Sequence, residues 1–360
     1  MDELELNRDI EEPEINYDNI EGIPRFDTAD LEYSDFFENI LLNNRPGILK
    51  DVTGAWKCSK YWVKNGTLNV DYFDQNYAEA KVVVSNCGKN LYNDYPGQGM
   101  YRVPGYFASD WLNEYYDLNN QLNDDFRFVY IGPKGSWTPF HADVLTSFSW
   151  SANVCGRKKW VLLPPGTEDL FRDKFGRLKY SIDSRDYGDK PQIHEIIQEK
   201  GEVIFVPSGW HHQVWNLDDA ISVNHNWING CNIIHVWDSL KSSLAEAKKE
   251  ISDLEGADSW NEDCQNILGA SFVFNYYKFY DFLKQIGRVR IKSLKQRKQL
   301  IVYGNWSIGE NHIIFDLKRI LKVLKLMLED EDFQNLKLNE AEDSPYRFCI
   351  MLESFLRCEV

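Results

Sequence analysis

The chain contains 360 residues, of which 14% are aromatic and 12 are Trp, and it carries a formal net charge of −16. This aromatic content supplies a packed core and excludes a disordered chain, while the acidic balance argues against general nucleic-acid affinity, because phosphate contacts require a basic surface. No run of about 18 apolar residues occurs, so we expect no membrane span.

The first third of the chain predicts an acidic arm followed by short helices and strands. Residues 1–30 are acidic and interrupted by Pro, as in an extended arm laid over the body of a domain. Helical spacing over 35–42 ends before the helix-breaking Arg-Pro-Gly cluster at 45–47. Four further elements are predicted here: a strand over 47–52, a helix over 59–65, a strand over 81–85 and an aromatic helix over 107–116.

The middle of the chain predicts a β core. Short strands are expected over 126–133, 148–154, 159–163, 201–206, 212–215 and 220–227. Gly, Pro and an Asn-Leu-Asp-Asp turn separate them, and short strands broken in this way are typical of a sandwich or barrel. Residues 169–193 are rich in charge and turn residues, so we interpret them as an insertion between strands.

Beyond Asn229-Gly230 the spacing of apolar residues becomes helical. Amphipathic helices are predicted over 237–254, 272–282 and 313–328. The basic stretch over 284–298 is interpreted as a solvated helix face, because charge runs usually report solvation. The predicted organisation is an arm over 1–30, a flank of helices and strands over 31–125, a β core over 126–232 and a helical region over 233–360.

The most informative motif is Thr-Pro-Phe-His-Ala-Asp at 138–143. Side chains alternate between the two faces of a strand, so His141 and Asp143, two residues apart, project into the same space. A His and a carboxylate joined by a second His form the 2-His-1-carboxylate triad, which holds non-haem Fe(II) and leaves positions open for substrate and oxygen. The pattern therefore predicts an Fe(II) site that activates O2.

The third ligand has to come from a later strand. His212 begins a predicted strand after the Pro-Ser-Gly-Trp turn, whereas His211 points to the opposite face. His225 is the rival on the next strand, where either His225 or its neighbours Asn224 and Asn226 face the cavity. We favour His212 as the ligand, which leaves His211 and His225 as supporting or core residues.

An Fe(II) with three protein ligands needs a cosubstrate that supplies electrons for cleaving oxygen. A dicarboxylate that chelates the metal at one end requires a fixed cation and a hydroxyl at the other. Lys158, which shares a strand face with Trp160, is the candidate cation because its ammonium is a compact point charge. Thr138, three residues before His141, is the candidate hydroxyl. A surface position is the alternative for Lys158, because charged side chains are mostly exposed.

Four motifs in this order resemble the Jumonji-C (JmjC) oxygenases. They are Thr-Pro-Phe-His-x-Asp at 138–143, Ser-Phe-Ser-Trp-Ser-x-Asn-Val-x-Gly-x-Lys-Lys-Trp at 147–160, Phe-Val-Pro-Ser-Gly-Trp-His-His-Gln-Val-x-Asn-Leu-Asp-Asp at 205–219 and Ile-Ser-Val-Asn-His-Asn-Trp at 221–227. The resemblance is densest over 126–232, the implied catalytic core, and it extends more weakly from about 30 to about 285.

The resemblance implies a fold and a site. The fold is mainly β with α: a double-stranded β-helix, or cupin-like jelly roll, flanked by helices and followed by a helical C-terminal region. The implied ligands of Fe(II) are His141, Asp143 and His212. The implied contacts of the cosubstrate 2-oxoglutarate are Thr138 and Lys158, with Asn224, Asn226 and Ser151 lining the pocket.

The family also implies a reaction, in which 2-oxoglutarate and O2 yield succinate, CO2 and a hydroxylated protein. The motifs are most similar to those of lysyl hydroxylases that act on the eukaryotic translation termination factor. Two alternatives stay open: a histone lysine demethylase that uses the same chemistry, and a JmjC binding module with impaired catalysis. The segment 88–95 is shorter than in the family, which carries there a strand that lines the cosubstrate pocket.

Further expectations concern compartment and assembly. The acidic start of the chain lacks the basic and apolar regions of a secretion signal. Seven scattered Cys without a Cys-x-x-Cys pair fit reduced thiols, so we expect an intracellular, cytoplasmic or nuclear protein. Oxygenases of the resembled type often dimerise through C-terminal helices, which implies a homodimer.

Overall fold

The computed structural model of the chain describes residues 2–17, 20–78, 99–119, 126–187, 192–336, 338 and 344–359. The strand predicted over 81–85 lies outside the described residues, as does the short segment 88–95. Within the described part, no helix combines the length and the apolar character that crossing a membrane requires. The six cysteines that the structure describes are free thiols.

Strands predominate in the middle of the chain, and long helices predominate after it. The strands are β1 Asp2–Leu4, β2 Arg25–Asp27, β3 Gly47–Lys50, β4 Val63–Lys64, β5 Thr67–Leu68, β6 Arg127–Gly132, β7 Phe148–Cys155, β8 Lys158–Leu163, β9 His194–Gln198, β10 Val203–Val206, β11 His211–Asn216, β12 Ala220–Trp227, β13 Leu300–Val302 and β14 Trp306–Ile308. The α-helices are α1 Tyr33–Phe36, α2 Lys57–Tyr61, α3 Val70–Tyr77, α4 Trp111–Leu118, α5 Ser184–Tyr187, α6 Ile233–Glu250, α7 Trp260–Phe272, α8 Tyr276–Gln296, α9 Glu310–Glu329, α10 Glu331–Gln334 and α11 Pro345–Glu359. A π-helix, Phe37–Leu41, continues α1.

Two sheets form the β core. The larger has the strand order β2-β3-β10-β7-β12-β6, and the smaller has the order β11-β8-β9. One apolar cluster contains Ile204 and Val206 of the larger sheet together with Trp160 and Val214 of the smaller sheet. The sheets therefore face each other across a shared interior, which is the arrangement of a jelly roll. The strands predicted over the middle of the chain are confirmed, although helices outside the core hold more residues than the strands do.

The outer face of the larger sheet is covered by the helical flank. Trp150 of β7 and Phe205 of β10 lie on this face, and both stack on Phe107 at centroid distances of 5.8 and 6.0 Å. The Asp110 side chain caps α4 by accepting a hydrogen bond from the backbone N–H of Asn113 at 3.0 Å. The flank thus buries one side of the sheet, and the site can only lie on the other side.

The segment predicted as a helix over 59–65 differs from the prediction. Here α2 ends at Tyr61, and β4 and β5 form a hairpin around Asn65-Gly66. Both turn residues have positive φ, 55° and 81°, as two-residue hairpins require. The Asn-Gly turn signal therefore outweighs the helical spacing. Strand β9 is missing from the sequence prediction, and it pairs with β8 directly after the predicted insertion.

The helical C-terminal region contacts the N-terminal residues. Helices α6 and α9 confirm the predictions over 237–254 and 313–328, and the looser spacing over 272–282 falls in the end of α7 and the start of α8. Strand β1 pairs in parallel with β14, and the Glu12 carboxylate lies 2.6 Å from the guanidinium of Arg319. The acidic N-terminal residues therefore lie along the basic face of α9.

The basic stretch over 284–298 is not uniformly solvated, which corrects the sequence interpretation. Arg290 is fully buried, and its guanidinium donates to Asp316 at 2.7 Å and to Glu114 at 2.8 Å. These partners lie on α9 and α4, so the cation holds α8 to both helices. The cation compensates the buried Asp316 carboxylate, which also lies 3.3 Å from the His312 ring, and the partly buried Glu114 carboxylate. The same cluster includes His312, whose ring bonds the Tyr33 hydroxyl at 2.7 Å.

Removing the buried cation is expected to destabilise the fold strongly. Arg290→Met should lower the free energy of unfolding by about 3–5 kcal/mol, because it removes the buried cation that pairs with both Asp316 and Glu114. Lys292→Met, on the exposed side of α8, is the matched control and should change stability by less than about 0.5 kcal/mol. Urea titration followed by circular dichroism measures both changes. Equal small losses would mean that the buried pair does not hold the helices together.

Candidate metal centre

The three side chains singled out by the sequence come together in the structure. One ligand atom from each of His141, Asp143 and His212 lies within 4.8 Å of the other two. His141 and His212 face each other as an antiparallel bridge, with N···O distances of 3.0 and 2.7 Å between their backbones. This bridge adds the motif segment to the edge of β11, so that two distant stretches of chain present their rings to one point.

Backbone carbonyls fix the tautomer of both histidines. The Nδ1 atom of His141 lies 2.7 Å from the Pro139 carbonyl oxygen, and that of His212 lies 3.1 Å from the Trp210 carbonyl oxygen. Because a carbonyl only accepts, each Nδ1 carries the proton and each Nε2 presents a lone pair. Burial, with His141 adding to it, lowers the pKa of His212 to about 4. That ring is therefore neutral at physiological pH, as metal ligation requires.

The carboxylate of the cluster is oriented by a strand residue that the sequence analysis did not identify. Ser149 of β7 donates its hydroxyl to the Asp143 carboxylate at 2.5 Å. The strand pattern in the sequence could have indicated this contact, since Ser149 and Ser151 lie two residues apart and so share one face of a predicted strand. Hydrogen-bonded ligating carboxylates are typical of metal sites, where the outer partner sets ligand orientation.

The donor set fits Fe(II). Two imidazoles and one carboxylate make the 2-His-1-carboxylate triad, whereas structural zinc sites close a tetrahedron with four ligands. Across the described ranges, this is the one group of at least three His, Cys, Asp or Glu side chains close enough to hold a metal ion. The cluster therefore supplies three ligands and leaves the remaining positions for small molecules.

Lys158 lies in the interior, so the surface position considered as the alternative from the sequence is wrong. Its side chain is buried, and its Nζ atom donates to the Ser222 hydroxyl at 2.6 Å across the two sheets. Burial lowers the pKa of Lys158 to about 8. The neighbouring Lys159 points outward and pairs with Glu195 at 2.9 Å. Among the residues that the structure describes, this buried ammonium has one hydroxyl partner, which leaves it able to pair with an anion.

Thr138 lies on the motif segment, where it is exposed and pairs with β11. Its backbone N–H donates to the Val214 carbonyl at 2.9 Å, and its Oγ1 accepts from the Val214 N–H at 3.2 Å. Because the hydroxyl oxygen already accepts a bond, its hydrogen is oriented away from β11. Thr138 can therefore donate to an anion that Lys158 attracts.

The inner face of the larger sheet presents polar groups in register. Asn224 of β12 is paired with Ser151 of β7, and both side chains are buried. The Asn224 Oδ1 and Ser151 Oγ atoms have no hydrogen-bond partner within the described part of the chain. Asn226, two residues on, donates to the Ser147 hydroxyl at 2.9 Å. Buried polar atoms without partners indicate that a ligand or water completes this face.

The rival histidines lie elsewhere. His225 projects from the opposite face of β12, where it stacks on Trp150 at a centroid distance of 4.3 Å and bonds the Tyr101 hydroxyl at 2.5 Å. Burial lowers the pKa of His225 well below its usual value. His211 points outward from β11, with its Nδ1 atom 3.7 Å from the Glu168 carboxylate. Neither ring reaches the metal cluster, so the Asn pair and not His225 faces the cavity.

Comparison with known proteins gives a consistent result. Residues 128–227 match the JmjC domain family, which is described as a hydroxylase domain. The chain is 39% identical over 392 aligned residues to the "2-oxoglutarate and iron-dependent oxygenase JMJD4" of Danio rerio, covering 92% of both chains. Identity to the protein of the same name from Homo sapiens is 37%, covering 88% of this chain and 87% of the relative. The "Arginine-specific demethylase JMJ20" of Arabidopsis thaliana is 33% identical, covering 85% of this chain and 79% of the relative.

Proposed function

The chain belongs to the JmjC family of 2-oxoglutarate- and iron-dependent oxygenases, and on that premise we propose that it is a protein hydroxylase acting on a lysine of the translation termination factor. The observation that carries the proposal is the convergence of His141, Asp143 and His212 on the sheet whose strand β8 also carries the buried Lys158. A facial triad suits an iron centre, and a buried cation suits a dicarboxylate.

The protein's own residues prepare the centre for Fe(II). We assign the metal to the Nε2 atoms of His141 and His212 and to the carboxylate of Asp143. Their carbonyl and Ser149 partners hold these atoms in place before any metal binds, which lowers the ordering cost of binding. When bound, Fe(II) supplies the redox chemistry by which O2 oxidises 2-oxoglutarate to succinate and CO2 and adds one oxygen atom to the substrate.

A second set of residues suits the cosubstrate. We assign the distal carboxylate of 2-oxoglutarate to the Lys158 ammonium and the Thr138 hydroxyl. Asn224 and Ser151 carry the unpartnered polar atoms that the bound molecule or its waters would satisfy, and Asn226 lines the same face. The apolar walls, which include Trp160 and Val214, exclude bulk water and strengthen these charged contacts.

The substrate class rests on the comparisons and on charge. The relatives named JMJD4 are described as oxygenases, and the matching domain is described as a hydroxylase. A net charge of −16 suits attraction of a basic protein segment that carries the target lysine. These observations favour hydroxylation of a lysine carbon over the other chemistries open to the family.

Demethylation is the second candidate, and one observation favours it. The Arabidopsis thaliana relative at 33% identity is named an arginine-specific demethylase. The same triad would serve, since hydroxylation of an N-methyl carbon gives an unstable product that releases the methyl group. The two reactions differ in the mass of the product and not in the residues that the cavity must provide.

The test is an assay that reports both cosubstrate and product. The purified protein is incubated with Fe(II), 2-oxoglutarate and the translation termination factor, followed by succinate detection and peptide mass spectrometry. We expect succinate together with a lysine peptide heavier by one oxygen atom, and neither with the Asp143→Ala variant. Methylated histone and arginine peptides are assayed in parallel, where loss of a methyl group would favour demethylation. Absence of Fe(II)-dependent succinate with all substrates would contradict the proposal.

A further inference from the structure

The turn that follows Asp143 adopts an unusual backbone. Leu145 and Thr146 have φ values of 60° and 48°, both in the left-handed region. That region suits Gly and disfavours side chains, especially β-branched ones such as Thr. Such conformations persist only where surrounding contacts hold them, and they cluster at functional sites. Since the turn begins directly after a proposed ligand, whatever holds it also sets the direction of the Asp143 carboxylate.

Ser208 holds this turn from a distant part of the chain. Its hydroxyl donates to the Thr146 carbonyl oxygen at 2.5 Å and accepts from the Asn232 side-chain amide at 3.2 Å. Ser208 and Asn232 are both buried, so water does not compete for these bonds. Asn232 stands where β12 passes into α6. The Ser208 hydroxyl therefore links the turn after Asp143 to the connection between β12 and α6.

Asn44 fixes Ser208 itself. The Asn44 side chain accepts from the Ser208 backbone N–H and donates to its carbonyl oxygen, both at 2.9 Å. The Asn44 backbone carbonyl accepts from the Trp210 indole at 3.0 Å. Trp210 in turn provides the carbonyl that sets the tautomer of His212. One buried asparagine thus anchors the turn that leads to the second histidine.

We propose that Ser208, held by Asn44, is a positioning residue that fixes Asp143 and His212 relative to each other. The inference rests on the proposed function only in assigning those side chains to Fe(II). Ser208 touches neither ligand, and it acts through the backbone of the turns that carry them. Without its hydroxyl, the left-handed turn at Leu145 and Thr146 can relax and carry the Asp143 carboxylate away from the two rings.

The first experiment compares metal affinity in three proteins. Mn(II) is titrated calorimetrically into wild type, Ser208→Ala and Ser208→Thr, each shown to be folded by circular dichroism. Loss of an outer partner of a metal ligand typically weakens metal binding by about 10- to 100-fold. Because Ser208 acts one bond further out than such a partner, we expect a loss near the lower end of this range for Ser208→Ala, and recovery toward wild type for Ser208→Thr, which keeps the hydroxyl. Equal affinities for wild type and a folded Ser208→Ala would overturn the inference.

The second experiment separates positioning from general stability. Thr146→Gly removes the backbone strain that Ser208 restrains, because Gly adopts positive φ readily. If Ser208 acts through this turn, Ser208→Ala should weaken Mn(II) binding less in the Thr146→Gly background than in wild type. Asn44→Gly is a matched variant, since it tolerates the φ of 50° at this position while removing the amide, and it should weaken Mn(II) binding as Ser208→Ala does. Additive effects of Ser208→Ala and Thr146→Gly on Mn(II) affinity in the double variant would contradict the mechanism.

A third readout needs no metal and distinguishes the two proposals. Amide hydrogen exchange of a peptide spanning 143–149 in the metal-free protein should become faster in Ser208→Ala, because the turn opens more often. Unchanged exchange would overturn the inference even if activity fell. A wild-type protein that binds no Mn(II) or Fe(II) would instead overturn the proposed function, and the exchange result would then decide the role of Ser208 separately.

Discussion

Replacing Asp143 with alanine is expected to abolish both iron binding and turnover. The proposed centre has three protein ligands, and two imidazoles alone leave too few bonds to hold a labile divalent ion. The loss of Fe(II) affinity should exceed the roughly 100-fold that marks the upper end for outer partners. His141→Ala and His212→Ala should behave in the same way, because each removes one ligand. Anaerobic Fe(II) titration and succinate formation measure the two losses, which should occur together.

His225→Ala is the matched control for the third ligand. Like His212→Ala, it removes a buried imidazole from a strand of the core. The His225 ring, however, stacks on Trp150 on the face of the larger sheet that points away from the metal cluster. A folded His225→Ala protein should therefore keep its Fe(II), although the lost packing lowers its stability by about 1–3 kcal/mol. Iron lost from His225→Ala and retained by His212→Ala would show that the ligand assignment is wrong.

The sequence was sufficient to predict that His141 and Asp143 lie together, because the relevant spacing is local. Two residues separate His141 from Asp143, and strand alternation places their side chains on one side. The choice between His212 and His225 was harder, since both lie on strands of the core. Only the pairing of strands shows that His212 faces His141 across an antiparallel bridge, while His225 faces the helical flank.

The supporting residues could not be predicted in the same way, because their partners are distant in sequence. Ser208 bonds residues 62 and 164 positions away, and nothing in the local pattern indicates either contact. Arg290 illustrates the same limit, since composition describes a basic helix while one turn of it is buried against two other elements. Burial depends on tertiary packing, which a charge pattern does not encode.

The insertion and the hairpin show a different limit. Strand β9 follows a charged, turn-rich segment, and its five residues pair with β8 although they lack a clear apolar alternation. Its position is set by the neighbouring edge of the smaller sheet and not by its own propensity, which is a weak guide for short strands. By contrast, the Asn-Gly turn between β4 and β5 carried a local signal that the helical spacing obscured.

Lys158→Ala is expected to weaken 2-oxoglutarate binding sharply while sparing the metal. The ammonium is buried, and its partner among the described residues is the Ser222 hydroxyl. Truncating one member of a buried charge pair costs about 2–5 kcal/mol, because the other charge is left unpaired, and this corresponds to about 30-fold or more in Kd. Calorimetric titration of 2-oxoglutarate into the Mn(II)-loaded protein measures the change, and Mn(II) affinity in the same sample should stay within about twofold of wild type.

Lys159→Ala is the control for charge alone. It removes the adjacent lysine, which points outward and pairs with Glu195 near solvent, so its effect on 2-oxoglutarate binding should be below about 1 kcal/mol. Comparable small effects from both variants would mean that the carboxylate binds elsewhere. A variant that keeps length without charge, Lys158→Met, separates the loss of charge from the loss of volume and should bind 2-oxoglutarate as weakly as Lys158→Ala.

The lowered pKa of Lys158 gives the same contact a distinctive pH dependence. Burial depresses the pKa to about 8 in the absence of a bound anion, so the charged form dominates below that pH and is lost as pH rises through it. A bound carboxylate favours the charged form, and linkage then requires the affinity for 2-oxoglutarate to fall by up to about tenfold for each pH unit above 8. Mn(II) affinity without cosubstrate should stay nearly constant over this range, because the pKa of His212 is lowered to about 4 and its ring is already neutral. Titrations of both molecules between about pH 7 and pH 9.5 separate these expectations. An affinity for 2-oxoglutarate that does not change with pH would show that a permanently charged group, and not Lys158, holds the distal carboxylate.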